Sequence, residues 1–156
     1  MYLIDEVLLA IWLIYPAYVA NGSAIILGRG PPLDFGKSFR GKRIFGEHKS
    51  IVGFVSAIII GALVGYVQES MFARSNGALV GAMLGLGAMV GDCLKSFVKR
   101  QTGKKPGTSF FPFDQLDFVI GGVLFTLPFE FWRAETLIIL FTVTPFAHAL
   151  TNYAAY

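Results

Sequence analysis

One stretch of the chain concentrates most of the side chains capable of chemistry. From Gly91 to Phe118 it reads GDCLKSFVKRQTGKKPGTSFFPFDQLDF and holds three carboxylates, Asp92, Asp114 and Asp117, with Lys95, Lys99, Arg100, Lys104 and Lys105. If the segment around Asp92 is helical, then Asp92, Lys95, Ser96 and Lys99 fall at i, i+3, i+4 and i+7 and form one polar face. Pro112 suits the first turn of a following helix, which sets Asp114 and Asp117 three residues apart on one face near its start. The helix dipole favours negative charge there. Carboxylates gathered so closely repel one another unless a cation lies between them. An all-carboxylate site that keeps waters and joins substrate phosphates is what Mg²⁺ prefers. Asp92, Asp114 and Asp117 are therefore the candidate metal ligands. With Lys95 and Lys99 they form the candidate catalytic group, and the loop lysines with Gly103 and Gly107 offer charge and backbone donors to phosphate. The plainer alternative, an ion-paired helix end with lysine stems lying along apolar surface, explains the first half of the stretch but not the second acidic pair.

The elements that must carry this stretch are apolar. The 156 residues are 54% hydrophobic with a mean hydropathy of +0.62, too apolar for an ordinary soluble domain. The expectation is an all-α, polytopic integral membrane protein: one unit over 1–156 with about five transmembrane helices and two cytoplasmic loops. Val7–Leu27 is long enough to span, with Pro16 expected to kink it and no pattern of a cleaved signal peptide. Ile51–Val67 is the second span, followed by a polar turn from Gln68 to Asn76. The third begins at Gly77 and continues as helix through Val98. Gly77, Gly81 and Gly85 recur within it every four residues, the spacing of close helix packing. Phe118–Trp132 is the weakest span, 15 residues with Pro128, and could be a tilted or re-entrant segment. Thr136–Tyr156 is the fifth, with Thr144, His148 and Asn152 on one face suited to interhelical hydrogen bonds.

The first loop, Gly28 to Ser50, carries Arg29, Lys37, Arg40, Lys42, Arg43 and Lys49 between glycines and prolines. Of 13 Lys and Arg, 11 lie in or beside the two long loops. The positive-inside rule then makes that side cytoplasmic, with the amino terminus outside and the carboxyl terminus inside. The cations are not set out like a DNA-reading module, so nucleotides and lipid headgroups are the expected anionic partners and nucleic acid is not. Gly36, Gly41 and Gly46, interleaved with Lys42, Arg43 and Lys49, suggest a second phosphate contact, although the spacing is not that of a P-loop. Cys93 reads as a small apolar filler, His48 lacks company for a metal site, and the Asn21-Gly22-Ser23 sequon lies inside an apolar run where chance explains it.

SFVKR and PFDQLDF, preceded by Gly91-Asp92, resemble the corresponding blocks of the archaeal CDP-archaeol synthases, a branch of the CTP-dependent phosphatidate cytidylyltransferase superfamily. The first loop, DFGKSFRGKRIFGEHKS, is similar to that family's equivalent segment, so the resemblance covers essentially the whole chain. Against the wider superfamily, Gln115 stands where an Asp-Arg-x-Asp block has arginine, and a His-Gly-Gly block is missing, which favours the archaeal branch. The resemblance implies transfer of CMP from CTP to a phosphorylated dialkyl (digeranylgeranyl) glycerol lipid, with Mg²⁺ as cofactor, in the cell membrane. It also makes Lys42, Arg43, Lys49, Ser96, Arg100 and Lys104 the candidate nucleotide contacts. Two rivals fit less well. A CDP-alcohol phosphotransferase would carry a D-G-x-x-A-R block, and a cation transporter would hold its acids deeper in the spans.

Overall fold

The computed structural model describes residues 3–72, 75–104, 108 and 111–154, with side chains described over the same residues except 72 and 147–154. Arg74, Lys105 and Gly107 lie outside the described residues, as do the side chains of His148 and Asn152. The order of elements is α1 (Leu3–Leu27), a two-stranded hairpin of β1 (Ser38–Phe39) and β2 (Lys42–Arg43), α2 (Ile51–Phe72), α3 (Gly77–Gln101), α4 (Phe113–Thr126) and α5 (Ala134–Ala154).

α1, α2 and α3 are each long and apolar enough to cross a membrane, and α3 is the central one: 56% of its apolar window is buried, against 28% in α1 and in α2. The glycine repeat explains how α2 and α3 approach. A Cβ on Gly77 would run into the carbonyl of Gly65, on Gly81 into that of Gly61, and on Gly85 into that of Ala57. Bare backbone on both sides is what lets two apolar helices gain van der Waals contact where lipid offers no hydrophobic contrast. The same device continues on the other side of α3, where Gly87 meets the carbonyl of Gly121 and Gly91 that of Asp117 on α4. The buried core then runs from Ile14 and Ala17 of α1 through Leu84 and Ala88 to Phe118 and Val119 of α4. α5 packs on α1, where Tyr18 and Thr144 share a hydrogen bond of 2.7 Å between their hydroxyls, the interhelical role expected of that face.

Several sequence-derived boundaries shift. α1 begins at Leu3 and is continuous through Pro16. α2 extends to Phe72, so the expected turn from Gln68 shrinks, and Asn76 in the left-handed conformation (φ 66°) leads into α3. α3 runs past Val98 to Gln101. The largest correction concerns the fourth segment. The apolar run Phe118–Trp132 is not one helix: α4 starts at Phe113, after Pro112 and with both aspartates in its first turns as the sequence implied, but it ends at Thr126. Its 14 residues span about 21 Å, short of the ~30 Å hydrocarbon core. Trp132 folds back to donate its indole N–H to the Thr126 hydroxyl at 3.0 Å, which fixes the chain after the helix. Apolarity continues to Trp132, but Pro128 and the turn at Leu127–Phe129 stop the helix before it. The first loop also contains a hairpin where an unstructured loop was expected. Arg40 and Gly41 both have positive φ (51° and 75°), the backbone of a tight two-residue hairpin turn.

Candidate functional site

The end of α3, the start of α4 and the start of α2 meet at one end of the bundle. Gly91 sets the separation: with no side chain there, the α3 backbone rests on the Asp117 carbonyl, so Asp92 and Asp117 face a common space. The predicted i, i+3, i+7 face is present. The Lys95 ammonium lies 3.0 Å from Asp92 Oδ1, 2.7 Å from Asp117 Oδ2 and 3.6 Å from Asp114 Oδ1. Lys99 reaches Asp114 at 2.7 Å and donates to the Thr108 carbonyl at 2.9 Å. Asp92, only 9% exposed, is also paired with Lys49 from the first loop. Three carboxylates and three ammonium groups thus form one connected, charge-balanced cluster.

Lys49 is placed by backbone rather than by chance. Leu33 N–H donates to the Lys49 carbonyl at 2.6 Å and Ile51 N–H to that of Pro31 at 3.1 Å. The next residue, buried Ser50, accepts the Gly53 N–H on its hydroxyl at 3.0 Å, capping α2. The rest of the first loop is organised by Asp34, which sequence reading passed over. Its carboxylate accepts from Arg43 (2.7 and 3.3 Å) and from the backbone N–H groups of Gly36, Phe45 and Gly46 at 3.0–3.1 Å. Burial alone would raise its pKa. The Arg43 guanidinium and the three backbone donors outweigh that and hold the carboxyl well below the usual range. An acid followed by glycine turns in an otherwise basic loop was the available signal.

This arrangement redistributes the expected nucleotide contacts. A cavity of about 810 Å³ opens at the cluster, and Lys49, Lys95 and Lys99 line it with the three aspartates. Arg43 is bound to Asp34 instead, and Lys42 donates to the Gln101 carbonyl at 2.7 Å, tying the hairpin to the end of α3. Arg100 packs under Gly46 and reaches the Lys104 carbonyl at 3.5 Å. None of Lys42, Arg43, Ser96, Arg100 or Lys104 is among the cavity walls. The glycines of the first loop are explained by backbone conformation, since Gly36, Gly41 and Gly46 all have positive φ. The N–H groups of Gly36 and Gly46 are engaged by Asp34, not offered to phosphate. The cavity also takes in Thr108 and three residues that sequence reading left outside the site: His48, Gln115 and, from α1, Asn21. Cys93 is a buried thiol in the wall.

As placed, the carboxylates are spaced around an ammonium, and no three acidic, His or Cys side chains among the described residues already have metal-ligating spacing. Their chemistry nevertheless suits a hard divalent ion: every donor is an anionic oxygen, and all three converge on a point that a cation, Lys95 Nζ, occupies.

The chain is similar along nearly its whole length to known proteins of one family. The family model for CarS-like CDP-archaeol synthase matches residues 3–156. CDP-archaeol synthase of Pyrococcus furiosus is 40% identical over 155 residues, covering 96% of this chain and 93% of the relative. That of Methanopyrus kandleri is 41% identical, covering 94% and 86%, and that of Pyrobaculum calidifontis 40%, covering 97% and 94%. A solved structure of an intramembrane enzyme for archaeal membrane lipid biosynthesis superposes with a TM-score of 0.88 at 28% identity, covering 94% of each chain.

Proposed function

The chain belongs to the CDP-archaeol synthase family of membrane enzymes in archaeal lipid biosynthesis, and from that premise we propose that it transfers CMP from CTP to a digeranylgeranyl glycerol phosphate, releasing pyrophosphate. The observation that carries this reading is the cluster itself: three carboxylates and three lysines around one cavity, at the ends of apolar helices where a lipid phosphate and a nucleotide can meet.

The reaction is an in-line displacement. An oxygen of the lipid phosphate forms a bond to the α-phosphorus of CTP while the bond from that phosphorus to the β-bridging oxygen breaks, and pyrophosphate leaves with the electron pair. The nucleophile is already an anion, so no strong base is required; the enzyme's task is to hold two anions in line and neutralise them. Lys49, Lys95 and Lys99 reach the cavity from two elements and supply charge to the phosphates. Asp92 and Asp114 orient those lysines. Asp92, Asp114 and Asp117 are the residues that would hold Mg²⁺, which when bound neutralises the triphosphate and polarises the α-phosphate. Arg43 and Lys42 act on the position of the first loop and, through it, on Lys49.

The test is incubation of purified protein with labelled CTP and the lipid phosphate, with and without EDTA. A CDP-lipid and stoichiometric pyrophosphate, lost with EDTA and restored by Mg²⁺, is the expected result. No nucleotide-containing lipid in the presence of Mg²⁺ ends the proposal. The loops are assigned to the cytoplasmic side, with the amino terminus outside and the carboxyl terminus inside. Cysteines replacing exposed Ser38 and Ser75 should therefore label from opposite sides, Ser38→Cys from the cytoplasm.

A further inference from the structure

Gln115 plays no part in the chemistry above, yet it is set into the same cavity. It is 8% exposed, it is one of the residues that line the cavity, and its Oε1 is buried with no hydrogen-bond donor among the described residues. Buried acceptors in native proteins are paired almost without exception, so one left unpaired beside a cavity calls for a donor from outside the chain. Its place on α4 turns it away from Asp117. At roughly 100° per residue, Gln115 and Asp117 point to nearly opposite sides of the helix. The residues that share its face look toward α1: the Phe118 ring stands edge-on to Tyr18 with centroids 5.0 Å apart, and Gly122 rests against Ala17 and Ile14. Asn21 of α1 reaches the cavity on that side. The cavity therefore has an ionic side, built by α3, Lys49 of the first loop and the aspartates of α4, and an amide side where α1 and α4 face each other.

We propose that Gln115 accepts a hydrogen bond from the exocyclic amine of cytosine and so sets the base selectivity of the enzyme. The assignment rests on the reading of CTP as the nucleotide substrate. Of the two substrates, only the nucleotide offers suitable donors. A dialkyl glycerol phosphate has ether and phosphate oxygens, which are acceptors, and its hydrocarbon chains have none. Within the nucleotide, the 4-position distinguishes the pyrimidines: cytosine carries an amine there and uracil a carbonyl, which is an acceptor. An acceptor fixed by burial thus favours CTP and leaves UTP facing it with lone pair against lone pair. A site built around one buried hydrogen bond rejects the analogue lacking it much more strongly than a pocket that discriminates by shape.

The measurement is kcat/KM for CTP, UTP and dCTP with the full-length protein and two variants, together with calorimetric binding of a non-hydrolysable CTP analogue. Gln115→Met keeps length and removes the acceptor; Gln115→Glu keeps an acceptor. The wild type should prefer CTP to UTP. Gln115→Met should lose on the order of tenfold or more in CTP kcat/KM, mainly through KM, with weaker analogue binding and a CTP:UTP ratio moved toward one. Gln115→Glu should retain the preference. A Met variant whose CTP:UTP ratio equals that of the wild type overturns the assignment. So does a change confined to the CTP:dCTP ratio, which would place the contact at the ribose. A wild type that neither binds nor turns over CTP overturns the proposed reaction and this assignment together, whereas failure of the ratio alone leaves the reaction standing.

Discussion

Asp34 and the group of Asp92, Asp114 and Asp117 are both sites of buried negative charge, and their partners differ in kind. Asp34 is held by one guanidinium and three backbone N–H groups of its own loop. None of those backbone donors can leave without unfolding the loop. The three aspartates near α3 share the ammonium groups of Lys49, Lys95 and Lys99, each at the end of a flexible stem. Rotating side-chain bonds is enough to exchange those partners for a phosphate or a metal ion. The first arrangement builds a shape; the second holds charge in readiness. Their separation also explains why cations with similar sequence surroundings, Arg43 and Lys49, have different work: one is used up in folding the loop and the other is delivered by it.

The largest effect that would sharpen this contrast belongs to the exchangeable cluster. Asn at Asp92, Asp114 or Asp117 should each lower cytidylyl transfer on the order of 10²- to 10³-fold, with the size-exclusion profile in detergent unchanged. Near-normal Mg²⁺-dependent activity in any two of them would break the idea of a shared site. Next comes Lys49→Gln, which removes one charge-assisted contact worth about 1.5–3 kcal/mol and should slow transfer roughly tenfold or more, with little change in loop protection from protease.

Asp34→Ala should show the reverse pattern. Proteolysis within the 28–50 loop should rise sharply while transfer falls less than in Lys49→Gln. Because Arg43 is its partner, Arg43→Gln should resemble Asp34→Ala, and the two should couple by about 0.5–3 kcal/mol in a double-mutant cycle of unfolding. Additive effects would mean that the pair does not organise the loop. pH provides a milder probe. The folded pKa of Asp34 lies below its ordinary value of about 3.9, so its contribution to stability is complete above that value and is lost as pH falls through the folded value. Loop protection should stay constant from about pH 7 to 5 and decline only below about pH 4; a loss already complete at pH 5 would contradict the assignment. The smallest effect is expected at Arg29, exposed at the membrane edge of the same loop, where Arg29→Gln should leave both transfer and protection near wild type.

Much of this was legible in the residues. The apolar runs mark a helical membrane protein because a bilayer demands internally satisfied backbone. Four-residue glycine spacing announces the α2–α3 seam because it repeats on one helix face. Helical periodicity joins Asp92, Lys95 and Lys99, and Pro112 with the following aspartates marks the start of α4. All of these are local patterns, in which spacing along the chain translates directly into spacing in the structure.

What tertiary structure decided is which charges meet. Lys49 precedes Asp92 by 43 residues, and nothing in the spacing distinguishes it from Lys42 or Arg43. Only the Ser50 cap and the Leu33 hydrogen bond turn it into the cluster. Likewise Asp34 captures Arg43 because the Arg40-Gly41 turn folds the loop back on itself. Gln115 is buried because α1 closes over the face of α4 that carries it, and the stop of α4 at Thr126 depends on a turn and on Trp132. Periodicity determines faces within an element. Which faces come together, and therefore which ions share a space, depends on long-range packing: at Gly91 two backbones touch only because the residue has no side chain to keep them apart.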